Sequence, residues 1–193
     1  MPTFTEKAIK ISFMKLLNEK PLNKITVKEI VEDCGINRNS FYYHFSDIPS
    51  LLEEVLMDSV AEILESKSNP ESIYDCLVEA IDFALKNKTA MMHIFNSQNR
   101  ELFDRYLNRV SYHAVERYIA MMSQGYNLSE ADKDVVVMYY KCQLVGFVID
   151  WMSNGMKYDL RVKIRRICEL YDGSMETAFA RATQQTKADN LQN

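Results

Sequence analysis

Glycine and proline are scarce in this sequence, five and four among 193 residues, well under the roughly 12% that average usage gives the pair. Collagen-like and low-complexity chains are excluded. A sandwich or barrel is disfavoured as well, since it needs a turn signal about every 8–12 residues. Cysteine is sparse and scattered: Cys34, Cys76, Cys142 and Cys168 form no CxxC pair and no Cys/His cluster of zinc spacing, which speaks against structural zinc. No stretch reaches the roughly 18 consecutive apolar residues of a membrane span. No apolar segment follows a basic start near Met1. A soluble, cytoplasmic chain with reduced thiols is expected.

Catalytic groupings are also missing. There is no GxSxG, Walker loop or HExxH, and His93 and His113 have neither an HxxxH partner nor a carboxylate at i+4. A non-enzyme without cofactor or metal is expected. Charge of one sign does not dominate either. Residues 1–50 hold seven Lys/Arg against six Asp/Glu, leaving −5 for the remainder of a chain whose net charge is −4. That asymmetry is too small to indicate a nucleic-acid partner by itself.

What the sequence does hold is a core's worth of apolar residues, 47% of the chain, and a series of helix starts. Thr3-Phe4-Thr5-Glu6 and Thr26-Val27-Lys28-Glu29 fit the capping box, in which the hydroxyl takes an orphan amide and the Glu reaches back. Asn69-Pro70-Glu71 orders a cap, a first-turn proline and an acid. Ser97, Ser129 and Asp159 are further caps. These predict an all-α fold of about nine helices, over residues 5–19, 27–33, 38–45, 50–66, 70–88, 90–96, 98–124, 130–154 and 160–183. The polar segment 65–69 is the best domain boundary.

Within the first helix, Ile9, Phe13, Leu16 and Leu17 form one apolar stripe. The next two helices are short and joined by Cys34-Gly35, where glycine supplies a positive φ. This is the helix-turn-helix arrangement. In its second helix, Phe41 and Phe45 stand at core spacing, while Arg38, Asn39, Ser40 and Tyr42 carry hydrogen-bonding groups outward. On the residues alone, Tyr43 fits either packing or a phosphate contact, and His44 either a half-buried histidine or a DNA contact.

The residues Ile25-Thr26-Val27, Gly35-Ile36, Arg38, Ser40-Phe41-Tyr42-Tyr43-His44-Phe45 and Leu51-Leu52 resemble the N-terminal module of the TetR family of bacterial transcription regulators. The resemblance implies an N-terminal three-helix DNA-binding domain (1–48), a connecting helix (49–66), a larger C-terminal helical effector-binding and dimerisation domain (67–184) and a flexible tail (185–193). It places Arg38, Asn39 and Ser40 near base edges. Arg38 would pair with guanine and Asn39 with adenine, contacts worth roughly 1–3 kcal/mol each in discrimination. Tyr42, Tyr43 and His44, with Thr26, Val27 and Lys28 at the amide end of the second helix, would supply phosphate or thymine-methyl contacts. One departure stands out. Where the family commonly has a phosphate-reaching lysine, three residues after the last Phe, this chain has Ile48.

In the last two-thirds, methionines and aromatics suit an adaptable pocket, with Met92, Phe95, Phe103, Tyr106, His113, Tyr118, Met122, Tyr139, Phe147 and Trp151 as candidate linings. The two final helices carry long apolar faces, Leu144, Val148 and Trp151 on one and Leu160, Ile164, Ile167, Tyr171 and Met175 on the other, with Gly173 inside the last. In a monomer both faces must pack inward. The resemblance implies that they pair with their two-fold mates instead. The partners implied are double-stranded operator DNA, a second copy of the chain and a small-molecule effector, with no membrane. The alternative is a coregulator of the same fold whose C-terminal domain binds a partner protein.

Overall fold

A computed structural model describes residues 4–66 and 73–192, with side chains described outside 59–73, 75–77, 79–80, 83 and 185–192. The described elements are helical and none is a strand: α1 (Phe4–Glu19), a 3-10 turn (Leu22–Lys24), α2 (Val27–Cys34), α3 (Arg38–His44), α4 (Ile48–Ser66), α5 (Ile73–Lys86), α6 (Lys88–Phe95), α7 (Arg100–Met122), α8 (Glu130–Ser153), α9 (Leu160–Leu170) and α10 (Ser174–Gln192). They form two compact units, one from residues 4–66 and 82–107, the other from 73–81 and 108–192. The proposed caps at Thr3 and at Asn69-Pro70 lie outside the described residues, as does most of the segment 65–69.

In the first unit α1 buries Ile9, Phe13, Leu16 and Leu17 and packs against α2, α3 and α6. Ser12 is buried on the same face, where its hydroxyl reaches the Ile30 carbonyl (3.5 Å). A small side chain there lets α2 approach closely. On α6, Ala90, Met91, Ile94 and Phe95 are buried. His93 Nδ1 lies 2.7 Å from the Leu17 carbonyl oxygen, which satisfies an orphan acceptor at the end of α1. The Arg100 guanidinium covers the Phe95 ring at 3.5 Å and pairs with Asp104 (2.9 Å).

The second unit has a core of Val115, Ile119, Leu128, Val137, Leu144, Met175 and Phe179. Trp151 is buried and donates its indole N–H to the Tyr158 carbonyl (2.9 Å). By length and composition α8 could cross a membrane, with a mean hydropathy of 1.3 over its most apolar window. Its apolar residues do not run for 18 without a break, since Lys141 and Asp150 fall among them. Lys141 is bonded to Asn108 (3.2 Å), and Val137, Leu144, Trp151 and Met152 are buried within the unit.

Most helix ends shift by one or two residues from the sequence expectation, and three of the differences have a clear physical reason. The helix placed over 160–183 is two, because Gly173 adopts φ 72 and ends the run after Leu170; the described residues therefore form ten α-helices. α4 starts at Ile48 rather than Ser50, because Asp47 and Ser50 cap each other, the Ser50 amide donating to Asp47 Oδ1 (2.7 Å) and the Asp47 amide to Ser50 Oγ (3.1 Å). α7 starts at Arg100 rather than Gln98, since Ser97 spends its hydroxyl on the Ile94 carbonyl (2.7 Å) and the Asn99 amide (3.1 Å). Ser129 and Asp159 cap α8 and α9 as expected.

Gly35 closes α2 at φ 66, and a Cβ there would meet nothing within 4 Å. Gly35→Ala is therefore expected to cost only the left-handed backbone penalty, about 1–2 kcal/mol, and Gly35→Asn less. Urea unfolding of the two variants measures the difference.

Candidate nucleic-acid interface

The nine residues assigned to DNA contact fall on α3 and on the start of α2, and the local structure explains how each is held. Thr26 caps α2 in a reciprocal box: its Oγ1 accepts the Glu29 amide (3.3 Å), while the Glu29 carboxylate accepts the Thr26 amide (3.0 Å) and hydroxyl (2.9 Å). Lys20 Nζ pairs with the other Glu29 oxygen. A phosphate approaching Thr26 thus meets a carboxylate already seated there. The first-turn amides that the box leaves open are those of Val27 and Lys28.

Asn37 caps α3, accepting the Ser40 amide (2.9 Å) and the Ser40 hydroxyl (3.2 Å). Ser40 is half-buried and tied to the cap. Phe41 and Phe45 are buried, and between them the helix turns Arg38, Asn39, Tyr42 and Tyr43 outward. Tyr43 is 85% exposed and Tyr42 56%, so packing does not account for Tyr43. His44 is half-buried, with the rings of Tyr43 (5.0 Å) and Phe45 (6.2 Å) as neighbours. Ile48 is half-buried in the first turn of α4. The other cations nearby are mostly matched: Lys15 by Asp33 (2.5 Å) and Lys28 by Glu32 (3.8 Å). Lys24 and Arg38 are exposed and have no acidic partner among the described residues.

The residues expected to line one pocket are divided between the units. Met92, Phe95, Phe103 and Tyr106 belong to the first, where Phe95 and Phe103 meet edge to face (5.7 Å) as core; burial pushes the Tyr106 hydroxyl up to about 12. In the second unit, a half-open concavity of about 900 Å³ runs along α8, α9 and the start of α10, and Tyr118, Tyr139 and Phe147 line it. His113, Met122 and Trp151 do not. His113 pairs with Glu116 (3.4 Å), Met122 packs on the core, and Trp151 is spent on Tyr158. Tyr74, Tyr140 and Asp172 also line the concavity, and no sequence pattern marks them; Asp172 and Gly173 lie at the break between α9 and α10, which the apolar periodicity runs through.

The residues assigned to dimerisation are mostly turned inward. Leu144, Trp151, Leu160, Ile164 and Met175 are buried within the second unit, and Val148 packs on its core. Ile167 lines the concavity and Tyr171 is 65% exposed. On the last helices the exposed large apolar side chains are Val135, Met138 and Tyr139 on α8, Val162 and Leu170 on α9, and Tyr171 just beyond.

Arg38→Ala is expected to relax base preference at one operator position by about 1–3 kcal/mol, while Tyr42→Phe weakens all sequences nearly alike; titrations over single-base operator variants separate the two. The Lys20 ammonium, and after it the Thr26 hydroxyl, hold the Glu29 carboxyl below the ordinary carboxylate range. A depressed folded pKa contributes stability above the ordinary value, and that contribution is lost as pH falls through the lowered one. Glu29→Gln should therefore flatten the acid limb of stability, read as urea midpoints between about pH 7 and pH 3.

Comparison with known proteins fits this geometry. Residues 14–55 match the model of bacterial regulatory proteins of the tetR family, and residues 71–173 that of a TetR-type transcriptional regulator C-terminal region. The uncharacterized HTH-type transcriptional regulator YxbF of Bacillus subtilis (strain 168) is 22% identical over 178 residues; the alignment covers 88% of this chain and 45% of that protein. Among solved structures, the dihydroxyacetone kinase operon activator DhaS aligns with TM-score 0.74 at 18% identity, covering 90% of this chain and 97% of that one. The fatty acid degradation regulator FadR from Bacillus halodurans aligns at 0.61 and 15%, covering 88% and 95%. NalD, the secondary repressor of the MexAB-OprM efflux pump in Pseudomonas aeruginosa, aligns at 0.59 and 18%, covering 90% and 95%. At these identities the structural likeness concerns the fold. The family models, which together take in most of the chain, carry the conclusion: it is a DNA-binding transcriptional regulator of the TetR family.

Proposed function

We propose that this chain acts in the cytoplasm as a repressor that binds a roughly palindromic operator as a homodimer and is released by a small molecule held in its C-terminal domain. The observation that carries the reading is α3: buried Phe41 and, at its C-cap, Phe45 fix a seven-residue helix whose exposed side chains, Arg38, Asn39, Tyr42 and Tyr43, are turned to where a groove would lie. Two such helices related by a two-fold axis would read half-sites about 34–36 Å apart or a multiple of that. The concavity along α8 and α9 supports the effector, being apolar with a few tyrosine hydroxyls and Asp172 converging on it. A ligand that prefers a conformer with the wrong half-site separation would shift the population off DNA.

A second reading is favoured by the exposed apolar residues on α8 and α9. Such residues, where they adjoin, form the kind of patch that marks a protein interface; Val135, Tyr139 and Tyr171 also line the concavity, and a coregulator would use that surface to dock a partner protein. DhaS is itself named an operon activator, so activation stands beside repression within this fold.

Selection from a random-sequence duplex library, with Arg38→Ala alongside, tests the proposal. Recovery of a palindrome by the wild type and its loss in the variant is the expected result. Enrichment of no sequence by the wild type would sink it.

A further inference from the structure

Lys10 lies in the middle of α1, outside the recognition surface, and its side chain is only 12% exposed. Its Nζ is 2.7 Å from Glu6 on the same helix, and 3.0 Å from Glu54 and 2.8 Å from Asp58 on α4. The ring of Phe45, the residue that ends α3, has its centroid 5.8 Å away. One ammonium thus faces three carboxylates from two helices and adjoins the end of the recognition helix.

Nothing in α4 alone favours this arrangement. Glu54 and Asp58 stand at i and i+4, where like charges destabilise a helix, and neither lies in the first turn, where the helix dipole would welcome an acid. Lys10 supplies the missing reason. Burial opposes its charge, but the carboxylates of Asp58, Glu6 and Glu54 outweigh burial and raise its pKa well above the ordinary value.

We propose that Lys10 is a positioning residue for DNA recognition: through Glu54 and Asp58 it latches α4 to α1 and thereby sets the angle at which α3 is presented. The inference rests on the reading of α3 as the DNA-contacting helix. Only Phe45, Ser46 and Asp47 separate α3 from α4, so a shift in the seat of α4 passes directly into α3. The apolar residues Leu51, Leu52, Val55 and Leu56 bury α4, but apolar packing is non-directional. The ion pairs select one seat among those that packing allows.

The double variant E54Q/D58N cuts the α4 side of the latch and leaves Lys10 paired with Glu6. Both altered side chains are half exposed, 54% each, so no buried charge is stranded. Removing two negative charges from a DNA-binding unit ordinarily strengthens its hold on DNA. The latch predicts the opposite sign, a loss of about tenfold in operator affinity, while Glu53→Gln on the same helix binds at least as well as wild type. Operator affinity of E54Q/D58N equal to or above that of the wild type overturns the proposal.

Amide hydrogen exchange without DNA provides the second reading. Faster exchange at residues 41–45 in E54Q/D58N, at an unchanged unfolding midpoint, is the expected result. Wild-type protection there overturns the latch independently of any DNA measurement. Loss of operator binding in Arg38→Ala tests α3 as reader, so failure of the latch and failure of the recognition reading are told apart.

Discussion

The structure depends on the fact that seven residues of helix cannot hold themselves. At about 1.5 Å per residue α3 is little over 10 Å long, far below the roughly 12–15 residues at which an isolated helix becomes even marginal in water. It exists because its surroundings impose it. Gly35 turns the chain at positive φ, Asn37 supplies the cap, and Phe41 and Phe45 are buried, each worth about 1.5–3 kcal/mol of burial. Once those sites are fixed, Arg38, Asn39, Tyr42 and Tyr43 have no packing duty. That division is why a helix this short can carry Arg, Asn and two tyrosines outward without losing its shape.

The rest of the first unit serves the same end. Ser12 lets α2 sit close to α1, the Asp47–Ser50 box starts α4 without a loop, and His93 closes the end of α1. None of these side chains has an orientation that the DNA face requires for itself. Their effect is to leave α3 one position relative to its neighbours. Pre-organisation of this kind lowers the ordering cost of binding.

Much of this was legible in the sequence, because local rules generate it. The capping box at Thr26, the glycine after Cys34 and the four-residue spacing of Phe41 and Phe45 each rest on contacts within a few residues. What escaped rests on contacts distant in sequence or on a backbone choice. The pairing of Lys20 with Glu29 needs the turn at 22–24, and Lys10 meets Glu54 and Asp58 only once α4 is seated. Gly173 was placed inside a helix because the apolar steps run through it. The periodicity of Leu160, Ile164, Ile167 and Tyr171 cannot show that Met175 belongs to a different helix. Burial of Leu144, Trp151 and Leu160 within one unit was likewise invisible, since an apolar stripe looks the same whether it faces its own core or a second copy.

The lysines held by α2 have a consequence for the conditions under which such a protein works. Lys15, Lys20 and Lys28 are each matched by a carboxylate of that helix, and Ile48 contributes no charge. Few cations are then left to displace counterions from the phosphates, and the displaced ions set how steeply affinity falls with ionic strength. A regulator built in this way holds its site mainly through shape and hydrogen bonds. Its occupancy would change little when the salt content of its surroundings does.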